Sequence, residues 1–149
     1  VSLGVADLSQ VADIVQIPKF LDDFLSSFTK GGLTTILPTL EAVDPRLGGE
    51  NVAIRIFSNP EAIALAMQYG PITATSANES GILPECDTEM AAKFLGVENF
   101  VAGVCPNGLG STFVKFERDI SEELGWRLTV IRDGVIPRSD IMAWIFSNK

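Results

Sequence analysis

The chain has 149 residues, of which 46% are hydrophobic, and a formal net charge of −8. This length and composition fit one globular domain with a sizeable core, while the acidic balance argues against a broad, sequence-independent grip on nucleic acid. Because there is no histidine and Cys86 and Cys105 lack CxxC spacing, a zinc site or a Cys/His nucleophile pair is excluded. No apolar run approaches the ~20 residues that span a bilayer, so we expect no membrane association and a cytoplasmic protein.

Strands and helices alternate along the first two thirds of the chain. In order, the patterns predict a strand at 1–5, helical pieces at 9–15 and 18–28, strands at 33–37 and 51–57, a helix at 59–69, a strand at 72–75 and a helix at 88–95. The remainder predicts strands at 99–104, 111–116 and 127–131, then a helix capped by Ser139 or Asp140. Strands that cluster late favour a mixed α/β sheet, and we expect a single domain over 1–149.

The segment 71–81 runs from an apolar strand into small polar side chains. Ser76, Asn78 and Ser80 occupy alternate positions, so an extended backbone beyond Thr75 would place them on one side. Such a cluster suits the sugar, phosphate or base edge of a nucleotide. A strand end followed by an Asn/Ser/Gly turn explains the same residues equally.

A second loop, 103–112, is rich in glycine and leads into a strand. Its backbone amides and the hydroxyls of Ser111 and Thr112 could approach an anion, although the loop is neither a P-loop nor a GxGxxG fingerprint. A plain hairpin turning at Asn107 and Gly108 remains the alternative.

An acidic chain that binds a phosphate needs a few basic side chains positioned at the binding site. The candidates are Lys30, Arg46, Arg55, Lys115 and Arg132. Arg132 precedes a tight turn and could donate two parallel hydrogen bonds to a phosphate. Alternatively, it could pair with its neighbour Asp133. The acidic pairs on the chain are interpreted as solvated surface charges, so any chemistry would depend on positioning and charge stabilisation.

Five segments in series resemble the YrdC/TsaC family of threonylcarbamoyl-AMP synthases, whose domain also occurs in a hydrogenase-maturation carbamoyltransferase. Segment 29–37 is similar to the family's Pro-Gly-Pro-x-Thr strand start, 51–56 to its Val-Ala-Val-Arg-Val strand, 71–81 to its Thr-Ser-Ala-Asn-x-Ser-Gly motif, 110–114 to its Ser-Thr-Val-Val strand, and 131–136 to its Leu-Arg-x-Gly-x-Ile close.

The resemblance implies a twisted mixed α/β sheet with flanking helices and a concave face that binds ligands. It implies condensation of L-threonine, bicarbonate and ATP, with Mg²⁺, into threonylcarbamoyl-AMP and pyrophosphate, for threonylcarbamoyladenosine formation on tRNA by partner proteins.

By position in the family motifs, the resemblance also assigns site residues. Ser76, Asn78 and Arg132 would hold the adenylate, and Thr34 and Ser111 would contact the threonine part. Arg55 would line the site or support the sheet.

The chain departs from the family pattern in two places. Lys30-Gly31-Gly32 stands where the family has Pro-Gly-Pro, which adds a charge of unknown use. The family's upstream strand and Lys-x-Arg element have no counterpart before Val1, so we expect an N-terminally truncated domain. Two other functions therefore stay open: a non-catalytic nucleotide- or RNA-binding module, and a carbamoyl-adenylate domain of a maturation carbamoyltransferase.

Overall fold

The computed structural model of the chain describes residues 1–79, 81–105 and 108–148. Its strands are β1 (Ser2–Val5), β2 (Leu33–Pro38), β3 (Asn51–Ile56), β4 (Ile72–Ala74), β5 (Thr112–Arg118) and β6 (Trp126–Arg132). Its helices are α1 (Leu21–Ser26), α2 (Pro60–Tyr69), α3 (Thr88–Leu95) and α4 (Arg138–Ser147), with a 3₁₀ turn at Leu8–Val11. None of the described helices has the length and hydropathy of a bilayer span.

The six strands form one twisted mixed sheet in the order β4-β1-β3-β2-β5-β6. The pairs β1–β3 and β2–β5 are parallel, and the pairs β1–β4, β2–β3 and β5–β6 are antiparallel. The predicted mixed α/β fold is therefore confirmed. Strands β3 and β2 lie at the centre of the sheet.

The chain divides into two compact units. The first unit comprises Val1–Ala74 and Gly110–Lys149 and contains the whole sheet with α1, α2 and α4. The second unit, Thr75–Leu109, contains α3 and an isolated bridge between Asp87 and Val104. Among the described residues of the second unit, the buried ones are Ala91 and Ala92.

The hydrophobic core lies on one face of the sheet. Successive side chains of a strand point to opposite faces, and Leu33, Leu37, Val52 and Ile54 all point into a core that α1, α4 and the 3₁₀ turn complete. Phe24 of α1 has no exposed surface and packs edge-on against neighbouring rings. The intervening side chains of β2 and β3 consequently point to the opposite face.

One predicted strand is wrong, and two predicted helical pieces are shorter than expected. Residues 99–104 form no strand. Their apolar side chains are exposed, and apart from the isolated bridge at Val104 they pair with no described strand. The piece at 9–15 is only a 3₁₀ turn capped by Asp7, and 18–28 contracts to α1.

The predicted cap of the last helix is also wrong. Helix α4 begins at Arg138 with Pro137 in the N-cap position and no side-chain cap. The Ser139 hydroxyl instead donates to the Asp140 carboxylate at 3.1 Å. In contrast, α2 and α3 each have a side-chain cap, from Asn59 and Asp87 respectively.

Candidate functional site

Two hydroxyls meet at the start of the parallel pair β2–β5. Thr34 lies opposite Phe113 in the register, and its Oγ1 lies 2.7 Å from the Oγ of Ser111. Both residues are almost completely buried, with 1% and 5% of their surface exposed. The sequence placed these residues 77 positions apart, and the fold makes them hydrogen-bond partners.

Arg132, at the end of β6, joins this pair from the next strand. Its Nη2 donates to the backbone oxygen of Ser111 at 2.9 Å, and its guanidinium lies 4.0 Å from the centre of the Phe113 ring. The alternative pairing with Asp133 is not what the structure shows, since Asp133 accepts from Arg138 instead. The guanidinium is thus oriented by one carbonyl and one aromatic face.

Arg55 of β3 completes the group. Thr35 pairs with Ile54 across β2–β3, so the antiparallel register sets Arg55 beside Thr34 on the same face. Its Nε donates to the backbone oxygen of Gly31 at 3.2 Å. Burial, and then the nearby charge of Arg132, lower the pKa of Arg55 from its usual value. We call Thr34, Arg55, Ser111 and Arg132 the hydroxyl–arginine cluster.

The hydroxyl–arginine cluster carries an uncompensated positive charge. Within the described residues, neither Arg55 nor Arg132 has an acidic group within 4.0 Å, although the chain as a whole has a net charge of −8. Two neighbouring guanidinium charges, that of the half-buried Arg55 and that of the exposed Arg132, favour an anionic ligand. The arrangement therefore suits a carboxylate or a phosphate.

Close backbone packing holds the start of β5 in place. Val135 donates its backbone N–H to the oxygen of Gly110 at 2.9 Å, and a side chain at Gly134 would overlap the backbone of Gly110 and Ser111. Thr112 has no exposed surface, and its hydroxyl donates to the backbone oxygen of Ile136 at 2.7 Å. The expectation that Thr112 offers a donor to an anion is therefore wrong, because its hydroxyl braces the loop.

Ser76 and Asn78 belong to the second unit. Strand β4 ends at Ala74, so the paired strand does not continue to Ser76, and Ser76 is exposed. The Asn78 Nδ2 donates to the backbone oxygens of Glu79 and Ile82 at 3.0 and 2.8 Å, which closes a turn. Its Oδ1 is buried and has no hydrogen-bond partner among the described residues.

Two predicted features of these loops fall partly or wholly outside the structure. Ser80, the third member of the predicted polar cluster, lies outside the described residues. The proposed hairpin turn at Asn107 and Gly108 includes Asn107, which also lies outside them.

The other cations singled out in the sequence are placed differently. Arg46 forms an ion pair with Asp44 at 2.7 Å, and Lys115 forms one with Glu117 at 2.6 Å. Each of these basic side chains is therefore paired with an acidic residue two positions away. Lys30 has no such partner within the described chain.

Sequence reasoning missed the contribution of Phe113. Its ring supports Arg132, but an apolar residue in a strand gives no sign of a cation–π contact until the register is known. It also missed the Gly31 carbonyl, which orients Arg55 and is invisible to side-chain patterns.

Comparison with protein families decides what fold family this arrangement belongs to. The model of the Sua5/YciO/YrdC family, described as "Telomere recombination", matches residues 1–134. The chain belongs to the Sua5/YciO/YrdC family. A comparison with curated proteins found no match.

Three solved structures share the fold of this chain. The crystal structure of P. abyssi Sua5 complexed with L-threonine is 25% identical, with a TM-score of 0.76, over 95% of this chain and 42% of that one. E. coli YciO is 22% identical with a TM-score of 0.70, over 91% of this chain and 66% of that one. A Methanobacterium thermoautotrophicum protein is 24% identical with a TM-score of 0.64, over 93% and 64%. The chain thus spans less than half the length of the Sua5 protein that it resembles.

Proposed function

We propose that this chain is the catalytic domain of an L-threonylcarbamoyladenylate synthase, which converts L-threonine, bicarbonate and ATP to threonylcarbamoyl-AMP and pyrophosphate. The observation that carries the proposal is the hydroxyl–arginine cluster, an unneutralised cationic site in an acidic chain with two buried hydroxyls beside it. Membership of the Sua5/YciO/YrdC family and likeness to a Sua5 that binds L-threonine support it.

The cluster offers polar groups for both L-threonine and the phosphate of the adenylate. In this proposal the hydroxyls of Thr34 and Ser111 hold the polar groups of L-threonine, and the guanidinium of Arg132 holds a phosphate oxygen of the adenylate. Arg55 adds positive charge where the negative charge of the reactants accumulates. Because both guanidiniums are already oriented by backbone carbonyls, little reorganisation is needed when an anion binds.

The reaction itself requires alignment more than acid–base catalysis. The amine of L-threonine forms a C–N bond to bicarbonate with loss of water, which gives a carbamate. A carbamate oxygen then attacks the α-phosphorus of ATP, and the bond to pyrophosphate breaks. The chain has no histidine, and the cluster offers hydroxyls and guanidiniums, which suit this positioning role.

Mg²⁺ enters the proposal with the nucleotide. Among the described residues, no group of three or more histidine, cysteine or acidic side chains could hold a metal ion. The described residues therefore do not fit a resident metal, and we propose that Mg²⁺ arrives as the counter-ion of substrate ATP.

The adenylate role of Ser76 and Asn78 remains a proposal from the family motif. The buried Oδ1 of Asn78 supports it, because an acceptor with no partner among the described residues is suited to a donor on a ligand, such as an amino group. Delivery of the product to tRNA, or to proteins of a tRNA-modification complex, is likewise proposed from family membership.

A binding experiment tests the threonine part of the site. Thr34→Val keeps the shape of the side chain and removes its hydroxyl, so we expect affinity for L-threonine to fall about tenfold, the value of one buried hydrogen bond. Isothermal titration of L-threonine, with and without an ATP analogue, measures the change.

Thr35→Val is the matched control. Thr35 is on the same strand, is equally buried at 1% exposed, and points to the opposite face of the sheet. Equal loss of affinity in the two variants, with circular dichroism unchanged, would contradict the assignment of Thr34 to the threonine site.

A further inference from the structure

A cavity lies on the face of the sheet opposite the hydroxyl–arginine cluster. It has a volume of about 290 Å³ and lies between α1, the loop that follows it, and the sheet strands β2 and β3. Its floor is formed by Leu33, Thr35 and Ile54, which alternate with Thr34 and Arg55 along the strands and therefore point the other way. The cavity is thus separate from the site proposed above.

The inside of the cavity is apolar. Leu25 and Phe28 contribute walls from the helical side, and Ile56 contributes one from β3. The hydroxyl of Thr35 donates to the backbone oxygen of Ile54 at 3.5 Å and is turned toward the neighbouring strand. A volume of this size holds a small molecule with an aliphatic or aromatic body.

The rim of the cavity carries two opposite charges. Asp22 lies on α1 and Lys30 in the loop before β2, and both are exposed cavity-lining residues. Neither forms an ion pair within 4.0 Å with any residue that the structure describes. The pKa of Asp7 is lowered mainly by hydrogen bonds from Ser9 and to the smallest extent by the charge of Lys30, so Lys30 lies near Asp7 without pairing with it. Lys30 is also the charge that departs from the family's motif and has no part in the hydroxyl–arginine cluster.

We propose that this cavity binds a free apolar α-amino acid. Its carboxylate would meet the ammonium of Lys30, its ammonium would meet the carboxylate of Asp22, and its side chain would occupy the apolar interior. A ligand with only one charge would leave the other rim group without a partner. Binding in this cavity is independent of the proposed synthase activity, since the cavity lies on the other face of the sheet.

Titration with L-leucine and two truncated analogues tests the proposal. 4-Methylpentanoate lacks the ammonium group, and isoamylamine lacks the carboxylate. We expect L-leucine to bind with a dissociation constant of about 1 mM or tighter, and each analogue to bind at least about fivefold more weakly. Isothermal titration calorimetry or amide chemical shifts of the chain provide the measurement.

Rim variants assign the binding to this cavity. Asp22→Asn and Lys30→Gln should each weaken L-leucine binding about fivefold. Asp23 and Lys19 are exposed neighbours that do not line the cavity, so Asp23→Asn and Lys19→Gln should leave L-leucine binding unchanged. Thr34→Val should also leave it unchanged, because Thr34 points to the other face.

Three results would overturn the proposal. The first is no detectable binding of L-leucine up to about 10 mM. The second is equal binding of L-leucine and both analogues, which would mean that the charged rim is not used. The third is loss of L-leucine binding in Thr34→Val with no effect of Asp22→Asn or Lys30→Gln, which would place L-leucine in the candidate site instead.

Discussion

Arg132 shows how a single residue links the fold to the proposed chemistry. Its guanidinium is held by the Ser111 backbone oxygen and by the face of Phe113, and it has no acidic partner within the described chain. A lysine has the same charge but cannot make a planar fork or stack on the ring. We therefore expect Arg132→Lys to reduce ATP affinity about tenfold or more, as measured by isothermal titration.

Arg127→Lys is the matched control for this change. Arg127 is on the same strand, is exposed and pairs with Asp119, so its replacement should leave ATP affinity unchanged. Unchanged ATP affinity in Arg132→Lys would show instead that Arg132 is structural.

The sequence predicted the cluster's residue types better than their contacts. Thr34, Ser111 and Arg132 were assigned from motif positions, and the structure brings them together within hydrogen-bonding distance. The closeness of Arg55 to Arg132 depends on the strand order, which alternation within single strands does not contain.

At the scale of elements, the loop after β6 positions the start of β5. A Cβ at Gly134 would overlap the backbone of Gly110 and Ser111, and neither backbone segment can rotate away as a side chain would. We expect Gly134→Ala to lower the free energy of unfolding by about 1–3 kcal/mol and also to reduce L-threonine affinity, because Ser111 must move. Urea unfolding and calorimetry measure the two effects.

Gly103→Ala provides the comparison, since a Cβ there meets nothing within 4 Å and the backbone does not require glycine. Its stability should change by less than about 1 kcal/mol. If Gly134→Ala were equally harmless, the loop would not be what places Ser111.

The elements that sequence patterns predicted well are those with a buried face. The strands predicted at 33–37 and 51–57 coincide closely with β2 and β3, and the helices predicted at 59–69 and 88–95 coincide closely with α2 and α3. The segment 99–104 has the composition of a strand, but a strand also needs a partner, and composition does not supply one. Local signals failed where tertiary pairing, rather than propensity, decides the structure.

At the scale of the whole molecule, charge and burial are unevenly distributed. The net charge of −8 is a sum over the whole chain and gives no indication of two guanidiniums in the first unit that have no acidic partner among the described residues. The hydrophobic core belongs to that unit, whereas the described residues of the second unit bury only Ala91 and Ala92. The sequence shows no linker at the boundaries of the second unit, so this division could not be predicted from composition.

The measurement that tests the proposed function most directly is pyrophosphate release from ATP and bicarbonate by this chain, with and without L-threonine. We expect release that depends on L-threonine, accompanied by threonylcarbamoyl-AMP in the reaction mixture, and strongly reduced in Arg132→Lys. Nucleotide binding without threonine-dependent release would contradict the proposal and would favour a binding module of the Sua5/YciO/YrdC family.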